Sequence, residues 1–91
     1  MERLPKFPDE KLLAESLKSP AALEKYEKLF LGREIKKCRR KIGMKQSILA
    51  KKLGTSQSSV ARMEAGKQNF TIGILVKLSF ALGKKLSVKF F

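Results

Sequence analysis

The 91-residue chain has no histidine, no tryptophan and one cysteine. Without histidine it lacks the side chain that most often serves as general base or metal ligand near neutral pH. No other catalytic constellation takes its place, so the sequence reads as a binding protein rather than an enzyme, with no cofactor and no metal. A lone cysteine cannot close an intrachain disulfide, and Cys38 shares a helical face with Ile35 and Ile42, which assigns it to the core. Long apolar runs are missing as well. The longest stretch, IGILVKLSFALG, is broken by Lys77 and is too short to cross a bilayer, while MERLPKFPDEK carries charges and prolines where a secretory leader needs an apolar centre. A cytoplasmic protein without membrane attachment is therefore expected. Between Phe30 and Phe70 there is no aromatic residue, which argues against a surface for single-stranded RNA, where bases stack on such rings.

Acidic residues are scarce too: 8 against 21 lysines and arginines, a formal net charge of +13. The imbalance is not uniform. Residues 1–32 hold six acidic and six basic side chains, whereas residues 33–91 hold two acidic and fifteen basic. A segment with that excess attracts polyanions and binds them in a strongly salt-dependent way.

What the chain does have is concentrated in residues 46–65, QSILAKKLGTSQSSVARMEA. Gln46 to Leu53 predicts a short helix with Ile48, Leu49 and Leu53 on one side. Ala50 is small where a following helix must cross closely. Gly54 comes after the last apolar residue, where a left-handed conformation costs glycine least, and Thr55-Ser56 offers an oxygen to cap a new helix. That helix, Gln57 to about Ala65, buries Val60 and Met63. Gln57, Ser58, Ser59 and Arg62 are hydrogen-bonding side chains at its N-terminal end, where a recognition helix meets base edges in the major groove. Gly66 stops it, and Lys67-Gln68-Asn69 forms a polar loop.

Elsewhere, a helix from about Asp9 to Lys18 would place Leu12, Leu13 and Leu17 on one side. Ser19-Pro20 marks a restart, with Ser19 as N-cap and proline at the first helical position. From there Leu23, Tyr26, Leu29 and Phe30 lead towards Ile35 and Cys38, either in one long helix to about Ile42 or with a break at Gly32. Gly43 ends this helix, and Met44 packs beneath the following pair. Thr71 to Leu82 predicts a last helix with Ile72, Leu75, Val76, Leu78 and Leu82 inward, and Gly83 stops it. Residues 84–91 alternate like a strand, with Leu86, Val88 and Phe90 on one side. A lone strand needs a partner; pairing with a two-fold copy would make a homodimer whose recognition helices lie about 34 Å, one DNA turn, apart. The apolar stripes of residues 1–32 leave two readings open, packing on the bundle or presenting a surface to another protein.

These features together resemble the Cro/C1-type (XRE) helix-turn-helix domain over roughly residues 33–83. The resemblance is carried by Gln46 opening the first helix of the pair, Ala50-x-x-x-Gly54, Gln57 opening the second, and Glu64-x-Gly66-Lys67 ending it. It implies an all-α, lambda-repressor-like bundle at 33–83, with a helical extension at 1–32 and a short β-strand at 84–91. It also implies double-stranded operator DNA as partner, with Gln46 bracing a phosphate and Gln57, and Arg39 pairing with Glu64. Ser56, Lys67 and Asn69 would join Gln46 in holding phosphates. Ala65 departs from the pattern, since related phage repressors often carry asparagine there. A narrower resemblance, through the Tyr26-Glu27 helix, GTSQSSVARMEAGK and LGKKLSVKF, is to HigA-type antitoxins of type II toxin-antitoxin modules. It implies an autorepressor that neutralises a small basic ribonuclease toxin of the RelE superfamily, with Leu13, Leu17, Leu23, Tyr26 and Phe30 as candidate toxin contacts. The alternative is a stand-alone XRE-family regulator with no toxin partner.

Overall fold

The computed structural model describes residues 14, 15, 17–88 and 90. Among these, four helices carry the fold. Helix α1, Pro20–Lys41, begins where the sequence signals it: Ser19 is extended, its hydroxyl accepts the N–H of Ala22 at 3.1 Å, and Pro20 needs no N–H partner in the first turn. Its last turn holds Arg39, Arg40 and Lys41, charges that suit the negative end of a helix dipole. Gly32 does not interrupt it. The helix passes from the first 32 residues into the expected DNA-binding unit without an end between them.

Helices α2, Gln46–Leu53, and α3, Gln57–Glu64, follow with a sharp turn between them, and α4, Ile72–Leu82, closes the bundle. Gly54 takes φ 70° and ψ 34° at the end of α2, a left-handed conformation that glycine reaches without a Cβ clash. Thr71 caps α4, its hydroxyl accepting the N–H of Ile74 at 3.1 Å. Helix α3 is the centre of the arrangement, packed against both α1 and α2, while α4 leans on α2 and α1.

The core gathers Ile35 from α1, Leu49, Ala50 and Leu53 from α2, Val60 and Met63 from α3, and Leu78 and Leu82 from α4. Cys38, Met44, Phe70, Ile74 and Leu75 pack against its edge. Four residues expected inside lie outside: Ile42, Ile48, Ile72 and Val76 are 52, 45, 64 and 40 % exposed. Ile42 follows the last helical residue and so leaves the periodicity of α1. Ile72 and Val76 belong to a second apolar stripe of α4. One stripe, through Leu78 and Leu82, is enough to meet the rest of the bundle, and the other stays exposed among the described residues.

The expected C-terminal strand is also corrected. Residues 84–88 have no regular structure, and Leu86, Val88 and Phe90 are exposed. A strand exists through its ladder of hydrogen bonds, and the described residues of this chain offer no second strand to make one. Of the helix expected at about Asp9 to Lys18, Ala14 and Glu15 are helical and Leu17 and Lys18 lie in a turn. The rest of that segment, with Leu12 and Leu13, lies outside the described residues.

Candidate nucleic-acid interface

The site is built on α3, and its first support is the turn before it. Ser56 is extended; its hydroxyl accepts the N–H of Ser59 at 3.1 Å and lies 3.0 Å from the hydroxyl of Ser58. That cap fixes where the helix starts. Gln57, Ser58 and Arg62 then stand exposed while Val60 and Met63 are anchored in the core. Ser59 falls on the inner side, 8 % exposed, so it is not placed to reach a base edge directly.

Gln68 gives Ser59 a different part. Its side-chain nitrogen approaches the Ser59 hydroxyl at 3.5 Å, and its oxygen accepts from Arg62 Nε at 3.2 Å. The loop after α3 thereby folds back on the helix and holds the guanidinium by its Nε edge. The sequence pattern marks Gln68 as part of a polar loop and nothing more; no spacing signal reveals the bridge.

The second support is a buried charge cluster at the far end of α3. Arg39 Nε donates to Glu64 Oε2 at 2.6 Å and Arg39 Nη2 to Glu64 Oε1 at 3.0 Å, a two-point pair with side chains 10 % and 4 % exposed. Arg39 Nη1 also donates to the carbonyl of Met44 at 2.7 Å, and the Gln46 amide donates to Glu64 Oε1 at 3.0 Å. One carboxylate thus joins α1, α2 and α3. Burial works against its charge, but the hydrogen bonds from Arg39 and Gln46 and the positive charges of Arg39 and Lys36 outweigh that, and Glu64 sits below the ordinary carboxylate range. Gln46, expected to brace a phosphate and Gln57, donates from its amide nitrogen to Glu64, while Gln57 stays exposed.

The third support is the closeness of α1. A Cβ on Gly32 would lie 2.5 Å from the carbonyl oxygen of Met63 and 2.7 Å from that of Glu64, so the end of α3 rests on bare backbone. Gly66, at φ 73°, is similarly pressed against Leu29. Lys67 and Asn69 follow, both exposed.

The result is a short helix held at its start, its end and its returning loop, with three polar side chains outward and lysines at 45 and 67 on either side of the motif in sequence. A family model described as helix-turn-helix matches residues 35–89, more than half of the chain. The chain belongs to the Cro/C1-type helix-turn-helix family. Among solved structures, the restriction-modification controller protein C.AhdI from Aeromonas hydrophila is similar, with 26 % identity and a TM-score of 0.65 over 68 % of this chain and 90 % of that one. No curated protein matches the sequence. In helix-turn-helix terms α2 and α3 are the motif and α3 its recognition helix, which makes the chain a DNA-binding regulator of transcription. No helix among the described residues is long and apolar enough to cross a membrane, and no cluster of metal-ligating side chains occurs among them.

Of the candidate toxin contacts, Leu17 is 64 % exposed and Leu23 stands at the margin, while Phe30 is half-buried. Tyr26 is 2 % exposed, a side chain committed to the fold. Leu13 lies outside the described residues.

Proposed function

We propose that the protein is a stand-alone, sequence-specific transcriptional regulator that binds operator DNA as a homodimer. In this reading Gln57, Ser58 and Arg62 meet base edges in the major groove, Arg62 through the two-pronged end that Gln68 leaves free. Ser59 supports that arginine through Gln68. Gln46, Ser56, Lys67 and Asn69 hold backbone phosphates. The observation that carries the reading is the fixed outward presentation of Gln57, Ser58 and Arg62 on a helix capped by Ser56. The similarity to a controller protein favours a regulator.

Dimerisation is supported by the uncovered side of α4. Ile72, Val76 and Phe80 recur every fourth residue and are 64, 40 and 84 % exposed, a continuous apolar ridge beside Leu86. Ridges of that spacing interlock with their own copy across a two-fold axis. The α4 ridge, with Leu86 at its margin, replaces strand pairing as the means of association.

Neither similarity points to an antitoxin, and the burial of Tyr26 takes away one of its proposed toxin contacts. Selection from a random duplex library tests the main reading. Enrichment of a palindrome with half-sites one helical turn apart is expected, and an unenriched library would overturn it. Co-purification of a small ribonuclease from the native cell would revive the toxin-binding role for residues 1–32.

A further inference from the structure

The helix-turn-helix accounts for few of the positive charges. On α1, Lys36, Lys37, Arg40 and Lys41 line a wide depression that reaches Glu64. Lys37 and Lys41 also line a second groove of about 430 Å³, between α1 and α4, where Lys84 and Lys85 complete the rim. Arg33 also lines the first hollow, and beside it the two hollows join six further cations into one band. All six are exposed, and among the described residues none is in an ion pair. Of the two carboxylates along the band, Glu64 is already bound by Arg39 and Gln46, with Lys36 acting on the same charge, so Glu34 and Glu64 together offset only a small part of the band's positive charge. None of Gln57, Ser58, Arg62, Lys67 or Asn69 lines either hollow.

We propose that this band is a second binding surface for the phosphate backbone of duplex DNA, separate from the surface of α3. The proposal rests on the DNA-binding reading above. Six like charges on one side of a small domain repel each other and are relieved by a polyanion. The band runs across two joined hollows and is made of long, exposed side chains, which suits an extended polyanion better than a compact anion. Duplex DNA carries one negative charge per roughly 1.7 Å of axis and suits such a strip. A duplex held by α3 is also the polyanion present at the highest effective concentration. The phosphates come either from DNA flanking the site held by α3 or from a second duplex.

The test compares wild type with a variant carrying Lys37→Gln, Lys41→Gln, Lys84→Gln and Lys85→Gln, with thermal melting to show that both fold. Binding to random-sequence duplexes of two lengths, one just covering the protein and one more than twice as long, is followed by fluorescence anisotropy across salt concentrations. Each phosphate contact contributes about 0.9 to the salt slope, so loss of four flanking contacts lowers the slope by about 3 to 4 on the long duplex and leaves the short one unchanged. Arg62→Ala, by contrast, weakens both lengths. Energy transfer between two short duplexes carrying different dyes, present with wild type and lost in the variant, assigns the phosphates to a second duplex. If the variant matches wild type at both lengths and in energy transfer, or loses equally on the two lengths with energy transfer unchanged, the band is not a second DNA surface. A wild type that binds neither duplex overturns this inference and the DNA-binding reading together.

Discussion

Replacing Gly32 by alanine adds one methyl group where α1 crosses the end of the recognition helix. In the middle of a helix this exchange ordinarily stabilises by about 1 kcal/mol, because alanine loses less backbone freedom than glycine. Here the new Cβ would meet the Met63 oxygen at 2.5 Å, the Glu64 oxygen at 2.7 Å and the Glu64 carbonyl carbon at 3.0 Å. All three are main-chain atoms, which cannot rotate aside as a side chain does. To restore an ordinary contact near 3.4 Å the end of α3 must back away by about 0.9 Å, and it is held there by the Arg39–Glu64 pair. Overpacking of this kind costs about 1 to 3 kcal/mol and outweighs the helix-propensity gain where backbone must move. Net of the propensity gain the loss is up to about 2 kcal/mol, and at about 4 to 8 °C of melting temperature per kcal/mol for a domain of this size a fall of up to about 16 °C is expected by circular dichroism. Gly73 supplies the control. It also lies in a helix, and its nearest neighbour to an added Cβ is the Thr71 hydroxyl at 3.8 Å, so Gly73→Ala should raise stability by up to about 0.5 kcal/mol. A Gly32→Ala protein that melts at or above wild type would refute the close-approach argument.

Other expectations follow from the same geometry. Glu64→Ala leaves Arg39 buried without its partner and should cost about 3 to 5 kcal/mol in chemical denaturation, whereas a surface pair would cost under about 1. Because the Glu64 carboxyl titrates lower in the folded chain than in the unfolded one, its contribution is present above the unfolded pKa of about 4.3 and fades as pH falls through the lower folded value. Acid titration of wild type should show that loss, and Glu64→Gln should flatten it. Gln68→Ala should narrow the preference for the selected operator over random DNA in wild type but change nothing further in an Arg62→Ala background; additive losses in that double-mutant cycle would contradict the bridge. Phe80→Glu should shift sedimentation to the monomer and reduce operator affinity while leaving the far-ultraviolet spectrum intact, and an unchanged sedimentation coefficient would remove α4 from the dimer contact.

Local signals in the sequence are strong enough to set the helix ends. Ser19-Pro20, Gly54, Ser56, Thr71 and Gly83 each act on the few residues around them, so their effect can be read without knowing the rest of the chain. Sidedness is legible where one stripe is apolar, as for Val60 and Met63. It fails on α4, because Ile72, Val76 and Phe80 form a stripe as apolar as the one through Leu78 and Leu82. Gly32 illustrates a different limit. A glycine inside a helix suggests a break, and its actual reason, the carbonyls of Met63 and Glu64, lies 31 and 32 residues away. Arg39 and Glu64 are 25 residues apart, and no periodicity joins them; the family resemblance supplies the pairing. The Gln68 bridge and the cation band depend on how separate elements come together, and neither has a signature in one stretch of sequence.

The unbroken course of α1 has a mechanical consequence. At 1.5 Å per residue its 22 residues measure about 33 Å, close to the 37 Å long axis of the molecule. An unbroken run of main-chain hydrogen bonds leaves no joint at which the first three turns can swivel against the last three. A load placed near Leu23 is therefore carried along a stiff shaft to Gly32 and Arg39, where that shaft bears on the recognition helix.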